Sequence, residues 1–440
     1  MHSAAYRRRR FQNWFPLGLT YATFYMGRYN LAVASTTIMA RFHLTKGQFG
    51  VISTAGFWTY ALGVIFNGPI ADRIGGKRAI LIAAVGAALL NAGIGALFLN
   101  GWATKILVGM SLLYAVNQYF QSFGALSIVK ANAPWFHVRE RGTFGGVFGI
   151  MISCGYFLAM TVGGWILAYL PWYDVFLIPS VLMLAMWLID RRLVADTPKE
   201  AGFPEINTGD ASSHRDDNDK PVDLAYLMAN VFTNPVILTL VAAEFCTGFV
   251  RQGLMTWFVP FLSEVHKVKP GSELFSIATT GITVGGIAGG LLCGVLSDKV
   301  FQSRRPPVAF LFYLGQIASL FALGHAKSPG VACFMIGFTC AWIFGVHGML
   351  SGTASMDFGG TKAAATVAGL LDGVQYVASG FTGFLLGGLL DKFGWAAWTY
   401  MIMPFSLIGA LLMLRLWNAT PANTKVSLPE KASAPEAVPV

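Results

Sequence analysis

Charge is what this 440-residue chain has least of: Asp, Glu, Lys and Arg make up 12% of it, against 55% hydrophobic residues. A soluble globular chain carries roughly 25% charged residues. So small a fraction excludes water as the solvent for most of the surface. Cysteine is scarce too. Cys154, Cys246, Cys293, Cys333 and Cys340 all fall inside apolar stretches without metal-ligand spacing, which excludes a disulfide frame or zinc site and leaves them as small packing residues. There is no Gly-x-x-x-x-Gly-Lys-Ser/Thr loop to hold a nucleotide phosphate, no His-Glu-x-x-His and no Cys-x-x-Cys. The sequence therefore offers no enzyme constellation, no metal and no cofactor site, and ATP is not expected to drive it directly.

What is abundant fits lipid as the solvent. Gly (50 residues) and aromatics (14%) are both high, as expected where helices pack closely and Trp and Tyr sit at headgroup level. A bilayer core needs about 20 apolar residues per helix. Twelve such runs occur, near 14–36, 49–71, 79–99, 104–130, 143–169, 173–190, 235–262, 275–297, 307–326, 329–351, 364–390 and 395–417. The expected fold class is an all-α membrane protein of twelve transmembrane helices.

The net charge of +10 does not point to nucleic acid, because the Lys and Arg lie in short clusters between apolar runs. With the N-terminus inside, the inner segments hold Arg7 to Arg10, Arg73, Lys77, Arg78, Arg139, Arg141, Lys299, Arg304, Arg305, Lys362, Lys425 and Lys431. The outer loops hold Arg41, Lys46, Lys105, Lys267, Lys269, Lys327 and Lys392. This asymmetry places both termini in the cytoplasm, with a bacterial inner membrane as the expected location. The start, MHSAAYRRRRFQNWF, has no small-residue cleavage site and reads as a cytoplasmic terminus, not a signal.

The expected organisation is a six-helix bundle over 1–190, a polar cytoplasmic linker over 191–234, a second bundle over 235–418 and a disordered tail over 419–440. The halves repeat each other. NGPIADRIGGKR carries Gly68, Asp72, Arg73, Gly75 and Gly76, and CGVLSDKVFQSRR carries Asp298 and Lys299 at the corresponding place, an offset of 298 − 72 = 226. Arg28 and Arg251 are offset by 251 − 28 = 223, and Arg141 and Lys362 by 362 − 141 = 221. Three landmarks at nearly one spacing indicate two bundles related by a pseudo-twofold along the membrane normal.

The Gly-x-x-x-Asp-Arg-x-Gly-Gly-Lys-Arg loop and its weaker copy resemble the signature of the major facilitator superfamily. We read Gly68, Asp72, Arg73, Gly76, Asp298 and Lys299 as a folding and gating element, in which Asp72 accepts from a facing helix N-terminus or pairs with Arg73. The substrate site is expected elsewhere, among charges inside spans, each of which costs at least ~2.5–3.5 kcal/mol near the bilayer centre unless compensated. Arg28 in the first span, Lys130 in the fourth, Glu244 and Arg251 in the seventh, His347 in the tenth and Asp372 in the eleventh are such charges. Tyr21, Phe24, Tyr25 and Arg28 share one helix face, as do Glu244, Gly248, Arg251 and Met255. The superfamily resemblance implies that the first, fourth, seventh and tenth helices line a central cavity, where Arg28 and Arg251 would meet. Two opposed guanidiniums suit a tetrahedral anion, since each offers a fork of parallel N–H bonds.

A narrower likeness lies in MGRYNLAVA, YFQSFGALSIVKANAPWFHVRERGTF, GFVRQGLMTWFVPFLSEV and DFGGTKAAATVAGLLDGVQYVASGFTG. These segments resemble the organophosphate:phosphate antiporters, in which one Arg of the first helix and one of the seventh bind the phosphoryl group; they match Arg28 and Arg251. The auxiliary cations of that family are replaced here by Tyr29, Val64 and Pro134, and Gln375 stands where the hexose-phosphate carriers have a Lys three residues after the Asp matched by Asp372. The expected substrate site is Arg28, Arg251, Tyr25, Tyr29, Asn117, Gln121, Asp372 and Gln375, with Glu244, Asp372 and His347 as coupling or charge-pairing groups. The two acids pair with the arginines, our preference for at least one of them, or carry a coupling proton, or bind a cationic group on a zwitterionic cargo.

The expected function is a monomeric secondary transporter that carries an organophosphate or phosphonate by alternating access, with inorganic phosphate or protons as counter-ion and membrane lipid as its other partner. A proton symporter of carboxylates or sugar acids and a transporter-like membrane sensor of organophosphates are the alternatives.

Overall fold

The computed structural model describes residues 3–99, 106–206, 208 and 233–419, without the side chains of 138, 139, 141–146, 148 and 352–366. Among the described residues every regular element is helical. In a hydrocarbon solvent each backbone N–H and C=O must be satisfied within its own segment, and the helix does this.

Twelve helices follow the twelve apolar runs. They are α1 (Ala4–Val33, continued by Ser35–Phe42), α2 (Lys46–Ile74), α3 (Gly76–Leu99), α4 (Ile106–Gln121 and Phe123–Asn132) and α5 (Val138–Tyr156, then Phe157–Val162 and Gly163–Tyr169). Next come α6 (Asp174–Leu193), α7 (Pro235–Val265), α8 (Glu273–Val295, then Leu296–Val300) and α9 (Arg305–Gly324). The last are α10 (Pro329–His347, then Gly348–Ala354), α11 (Ser355–Phe393) and α12 (Trp398–Arg415). Nine of these are long and apolar enough to cross a membrane by length and composition among the described residues. The others are α1, which begins with Arg7 to Arg10, α4, which is interrupted at Ser122, and α6, which ends on Asp190, Arg191 and Arg192.

Several helices outrun their expected limits. α1 starts at Ala4, not at 14, because the Ser3 side chain accepts from the Tyr6 N–H at 3.2 Å and the first turns pack on the end of α4. There the Tyr6 hydroxyl donates to the Trp135 carbonyl, Arg10 lies over Phe136 and pairs with Glu140 at 2.9 Å, and the Arg9 guanidinium donates to the Leu193 carbonyl. The connection between the tenth and eleventh spans is helical as well. The side chains of Arg139, Arg141 and Lys362, most of the linker, Lys425, Lys431 and the tail lie outside what is described.

The helix pairing repeats between halves. α2 packs on α4 as α8 packs on α10, α3 on α6 as α9 on α12, and α1 on α5 and α6 as α7 on α11 and α12. Two six-helix bundles result, joined mainly by α2 against α11 and α5 against α8.

These joins lie toward the side away from the chain's described ends, the far side. The Thr54 hydroxyl donates to the Gly380 carbonyl (2.6 Å), the Trp58 indole to the Val377 carbonyl (3.1 Å), and the Asp391 carboxylate accepts from the N–H groups of Lys46 and Gly47 at 3.0 and 2.8 Å. Lys46 pairs with Glu264 at 3.0 Å, and Thr161 bonds Thr279 between α5 and α8. Gly50 and Gly383 let the α2 and α11 backbones touch: a Cβ on Gly50 would lie 2.1 Å from the Gly383 oxygen. The halves are therefore closed against each other on the far side.

The loops of Asp72 and Asp298 differ from expectation in their partners. Asp72 pairs with Lys130 at 2.9 Å, not with Arg73 or a helix N-terminus, and Lys130 is thereby an ion-pair partner and not a cavity cation. The N-terminus of α3 at Gly76 is instead met by Asp196, whose carboxylate accepts from the Lys77 N–H at 2.7 Å. Burial raises the Asp196 carboxyl above its ordinary value, and the Lys77 N–H opposes that rise. Asp298 pairs with Arg305 at 2.8 Å and accepts from the Ser303 hydroxyl, while Arg73 and Lys299 are exposed. Of the cysteines, Cys154 is exposed and the other four are buried.

Candidate functional site

The site begins with two charges that lipid-soluble helices would not carry without use. Arg28 and Arg251 are only 1% and 3% exposed, and burying two cations is expensive unless something of opposite charge compensates them. No ion pair joins either guanidinium to a carboxylate among the described residues. Dipoles and aromatic faces surround them instead.

For Arg28 the setting is built by α1, α2, α4 and α11. Its Nε donates to the Gln121 side-chain oxygen at 3.1 Å and its Nη1 to the Tyr376 hydroxyl at 3.2 Å. The guanidinium carbon lies 4.7, 5.0 and 5.8 Å from the ring centres of Tyr60, Tyr25 and Tyr21, where each ring's electron-rich face attracts a cation. Nη2 is buried and has no partner among the described residues. Gln121 is presented by a local irregularity of α4: the Ser122 hydroxyl turns back to the Tyr119 carbonyl at 2.7 Å and accepts from Asn67, competing with the regular helix ladder. Asn117 stands behind Gln121. Its oxygen accepts from Gln121 (3.3 Å) and Asn91 (3.0 Å), its nitrogen donates to the Gly27 carbonyl, and it makes no contact with a guanidinium that would fit its expected place in the first layer. It orients Gln121.

For Arg251 the setting is α5, α10 and α11. Nη2 donates to the Gln375 oxygen at 2.8 Å and Nη1 to the Tyr156 hydroxyl at 3.4 Å, while Nε is buried without a partner. Tyr156 in turn bonds the Tyr29 hydroxyl at 3.1 Å, so Tyr29 reaches the second arginine and not its neighbour Arg28. Tyr376 belongs to both cations: Arg28 donates to its hydroxyl, and Arg251 lies 5.6 Å from its ring centre. A glycine fixes this register. A Cβ on Gly248 would lie 2.4 Å from the Gln375 carbonyl oxygen, so only glycine lets α11 come close enough to set Gln375 beside Arg251.

The acids take positions that differ from the one we preferred. Glu244, fully buried, pairs with His347 at 2.8 Å, and the Gln375 nitrogen donates to it at 3.0 Å. The sequence favoured a direct bridge from an acid to an arginine; the structure inserts the Gln375 amide between Glu244 and Arg251. The reason is spacing: Glu244 and Arg251 are two turns apart on one helix, and an amide from α11 fills the gap. Asp372 is half-buried near Tyr60 and Tyr376 and makes no ion pair with either arginine among the described residues. His347, expected as a coupling or charge-pairing group, is the base that Glu244 meets.

Sequence reasoning missed Tyr60 and Tyr156. A signal was available, because a tyrosine in mid-span must find a partner for its hydroxyl in a water-poor interior. Together the groups form a buried, tyrosine-walled cationic cluster with an unpartnered nitrogen on each guanidinium among the described residues, which can donate to an oxyanion by charge-assisted hydrogen bonds.

Comparison with known proteins agrees with this architecture. The model of the Major Facilitator Superfamily matches residues 17–383. The Glycerol-3-phosphate transporter of Bacillus subtilis is 27% identical, over 94% of this chain and 94% of its own. A "Probable hexose phosphate transport protein" of Chlamydia pneumoniae is 26% identical, over 96% of this chain and 94% of its own. The crystal structure of a D-xylose-proton symporter superposes with a TM-score of 0.74 at 15% identity, covering 95% of this chain and 99% of that one, a likeness of fold.

Proposed function

As the chain belongs to the Major Facilitator Superfamily, we propose that it is a secondary transporter of a small phosphorylated or phosphonate-bearing anion, carried between Arg28 and Arg251 by alternating access. One observation carries the reading: two buried guanidiniums from matching helices share Tyr376, keep one unpartnered nitrogen each among the described residues, and are not bridged to a carboxylate there. A neutral cargo has no use for such a pair, whereas a tetrahedral oxyanion can accept from both forks at once. The names of the relatives agree with that chemistry.

On this reading the cargo draws the halves together because it bridges a cation of each, and a ligand shifts an equilibrium only through such differential contacts. The bundles are 1–190 and 235–418, with 191–234 as linker and 419–440 as tail. The substrate contacts are Arg28, Arg251, Tyr25, Tyr29, Gln121, Asp372 and Gln375, with Asn117 supporting Gln121. The side bearing the chain ends is cytoplasmic by the Lys/Arg asymmetry, in a bacterial inner membrane, and the arginine site is buried between the halves. Exchange for inorganic phosphate is the coupling that the likeness to the organophosphate:phosphate antiporters suggests.

The test is uptake of labelled phosphate into phosphate-loaded proteoliposomes containing this protein alone. Saturable exchange inhibited by phosphate esters and phosphonates, and absent in Arg28→Gln and Arg251→Gln, supports the reading. Inhibition by sugar acids but not phosphate esters would make the protein a carboxylate carrier. Phosphate-ester binding without uptake would make it a sensor.

A further inference from the structure

Behind Arg251 lies a cluster that anion binding alone does not require. Glu244 Oε1, His347 Nδ1 and Gln375 Nε2 form a triangle with sides of 2.8, 3.0 and 2.7 Å, and the other amide atom of Gln375 accepts from Arg251 at 2.8 Å. Gln375 is thus a dipole with its oxygen on the cation and its nitrogen on the acid. Glu244 is 0% exposed and its second oxygen, Oε2, is buried without a partner, whereas the His347 side chain is 24% exposed. An ionised carboxylate with one bare oxygen in a dry interior is costly, and a proton removes the cost.

From this geometry we infer that Glu244 and His347 form a one-proton site whose occupancy is linked, through Gln375, to the presence of an oxyanion on Arg251. The inference rests on the anion-site reading above. With the pair unprotonated, the Glu244 charge reaches Arg251 through the amide and competes with the cargo for its field. A proton on Oε2, or on the imidazole as His⁺ beside Glu⁻, raises the charge of the pair by one and ends that competition. Proton and oxyanion therefore bind cooperatively, each raising the affinity of the other by the same factor. The partly exposed imidazole is the route by which a proton reaches the buried acid. No bond other than those to the proton forms or breaks.

Among the described residues, the titratable and charged groups around Glu244 are Arg251 and Cys246 on its own helix; Tyr313 from α9, whose hydroxyl bonds Thr247 and the Ala243 carbonyl; His347 from α10; and Asp372 from α11. Asp372 is the other acid near the arginines, but it touches neither Gln375 nor His347 through a hydrogen bond among the described residues and lacks the relay to Arg251.

The test is calorimetry of inorganic phosphate binding to the purified protein in two buffers of different ionisation enthalpy, at a pH well above phosphate's own second ionisation. The wild type is expected to take up about one proton per phosphate bound, and Glu244→Gln about none, with binding retained. His347→Gln, which removes the imidazole and leaves Arg251 and Gln375 in place, is expected to lower proton uptake while phosphate still binds. Equal proton uptake in wild type and Glu244→Gln, with phosphate bound by both, overturns the inference and leaves the anion site standing. If phosphate gives no saturable heat with the wild type, the anion-site reading fails and the inference falls with it.

Discussion

Gly50→Ala is expected to open the far side of the protein. The added carbon would lie 2.1 Å from the Gly383 oxygen, 2.4 Å from its carbonyl carbon and 2.9 Å from the Phe384 nitrogen. All three are backbone atoms that no rotamer change can move aside, so α2 and α11 must separate. Overpacking of this kind costs ~1–3 kcal/mol. Separation also stretches the bonds from Thr54 to Gly380 and from Lys46 and Gly47 to Asp391, each worth ~0.5–1.5 kcal/mol net. The sum is ~2.5–7.5 kcal/mol against the closed far side, and at 1.4 kcal/mol per tenfold it shifts the two-state equilibrium by a factor of about 60 or more. Pulsed electron paramagnetic resonance between labels at Arg41 and Lys392, with the five native cysteines removed, should show a longer far-side distance. An unchanged distribution in a well-folded variant would refute the view that this glycine contact holds the closed state.

Further outcomes follow from other contacts. Arg28→Lys keeps the charge but loses the planar fork and strands the Gln121 oxygen that Nε now serves; phosphate affinity measured by calorimetry should fall about 10- to 100-fold, the loss of one charge-assisted hydrogen bond of ~1.5–3 kcal/mol. Asp391→Ala removes the carboxylate that caps α2 from the other half and should weaken the far-side closure by ~1 kcal/mol, read as faster modification of a cysteine placed at Lys46. At Asp196 the raised carboxyl means that the folded state binds a proton more tightly than the unfolded chain; that contribution is full below the ordinary carboxylate midpoint and is lost as the pH rises through the raised one. Asp196→Asn should therefore gain melting temperature over wild type toward neutral pH and lose this advantage in acid, while Asp196→Ala, which leaves the Lys77 N–H uncapped, should melt lower throughout the neutral range.

The spans and their pairing were legible because lipid imposes length and apolarity on each helix, and a duplicated chain prints its symmetry as a constant offset between Arg28 and Arg251. The two cations were legible because charge inside a span has no cheap explanation. Their surroundings were not. Tyr60 and Tyr156 look like ordinary span aromatics until α2 and α5 are set beside Arg28 and Arg251. The partner of Glu244 came from α10, a hundred residues away in sequence, and the place of Gln375 between acid and cation depends on an interhelical distance set by Gly248. The gating motif was recognised by its residues, yet Asp72 chose Lys130 and the α3 terminus chose Asp196. Such choices depend on the conformation adopted and on the approach of helices distant in sequence.

The central claim is that the free N–H groups of Arg28 and Arg251 receive one tetrahedral oxyanion between them. Calorimetric titration of inorganic phosphate into the wild type, Arg28→Gln and Arg251→Gln tests it most directly. The account requires saturable one-to-one binding in the wild type, its loss in each single variant, and displacement of phosphate by a phosphate ester. Phosphate binding that survives both substitutions would contradict it.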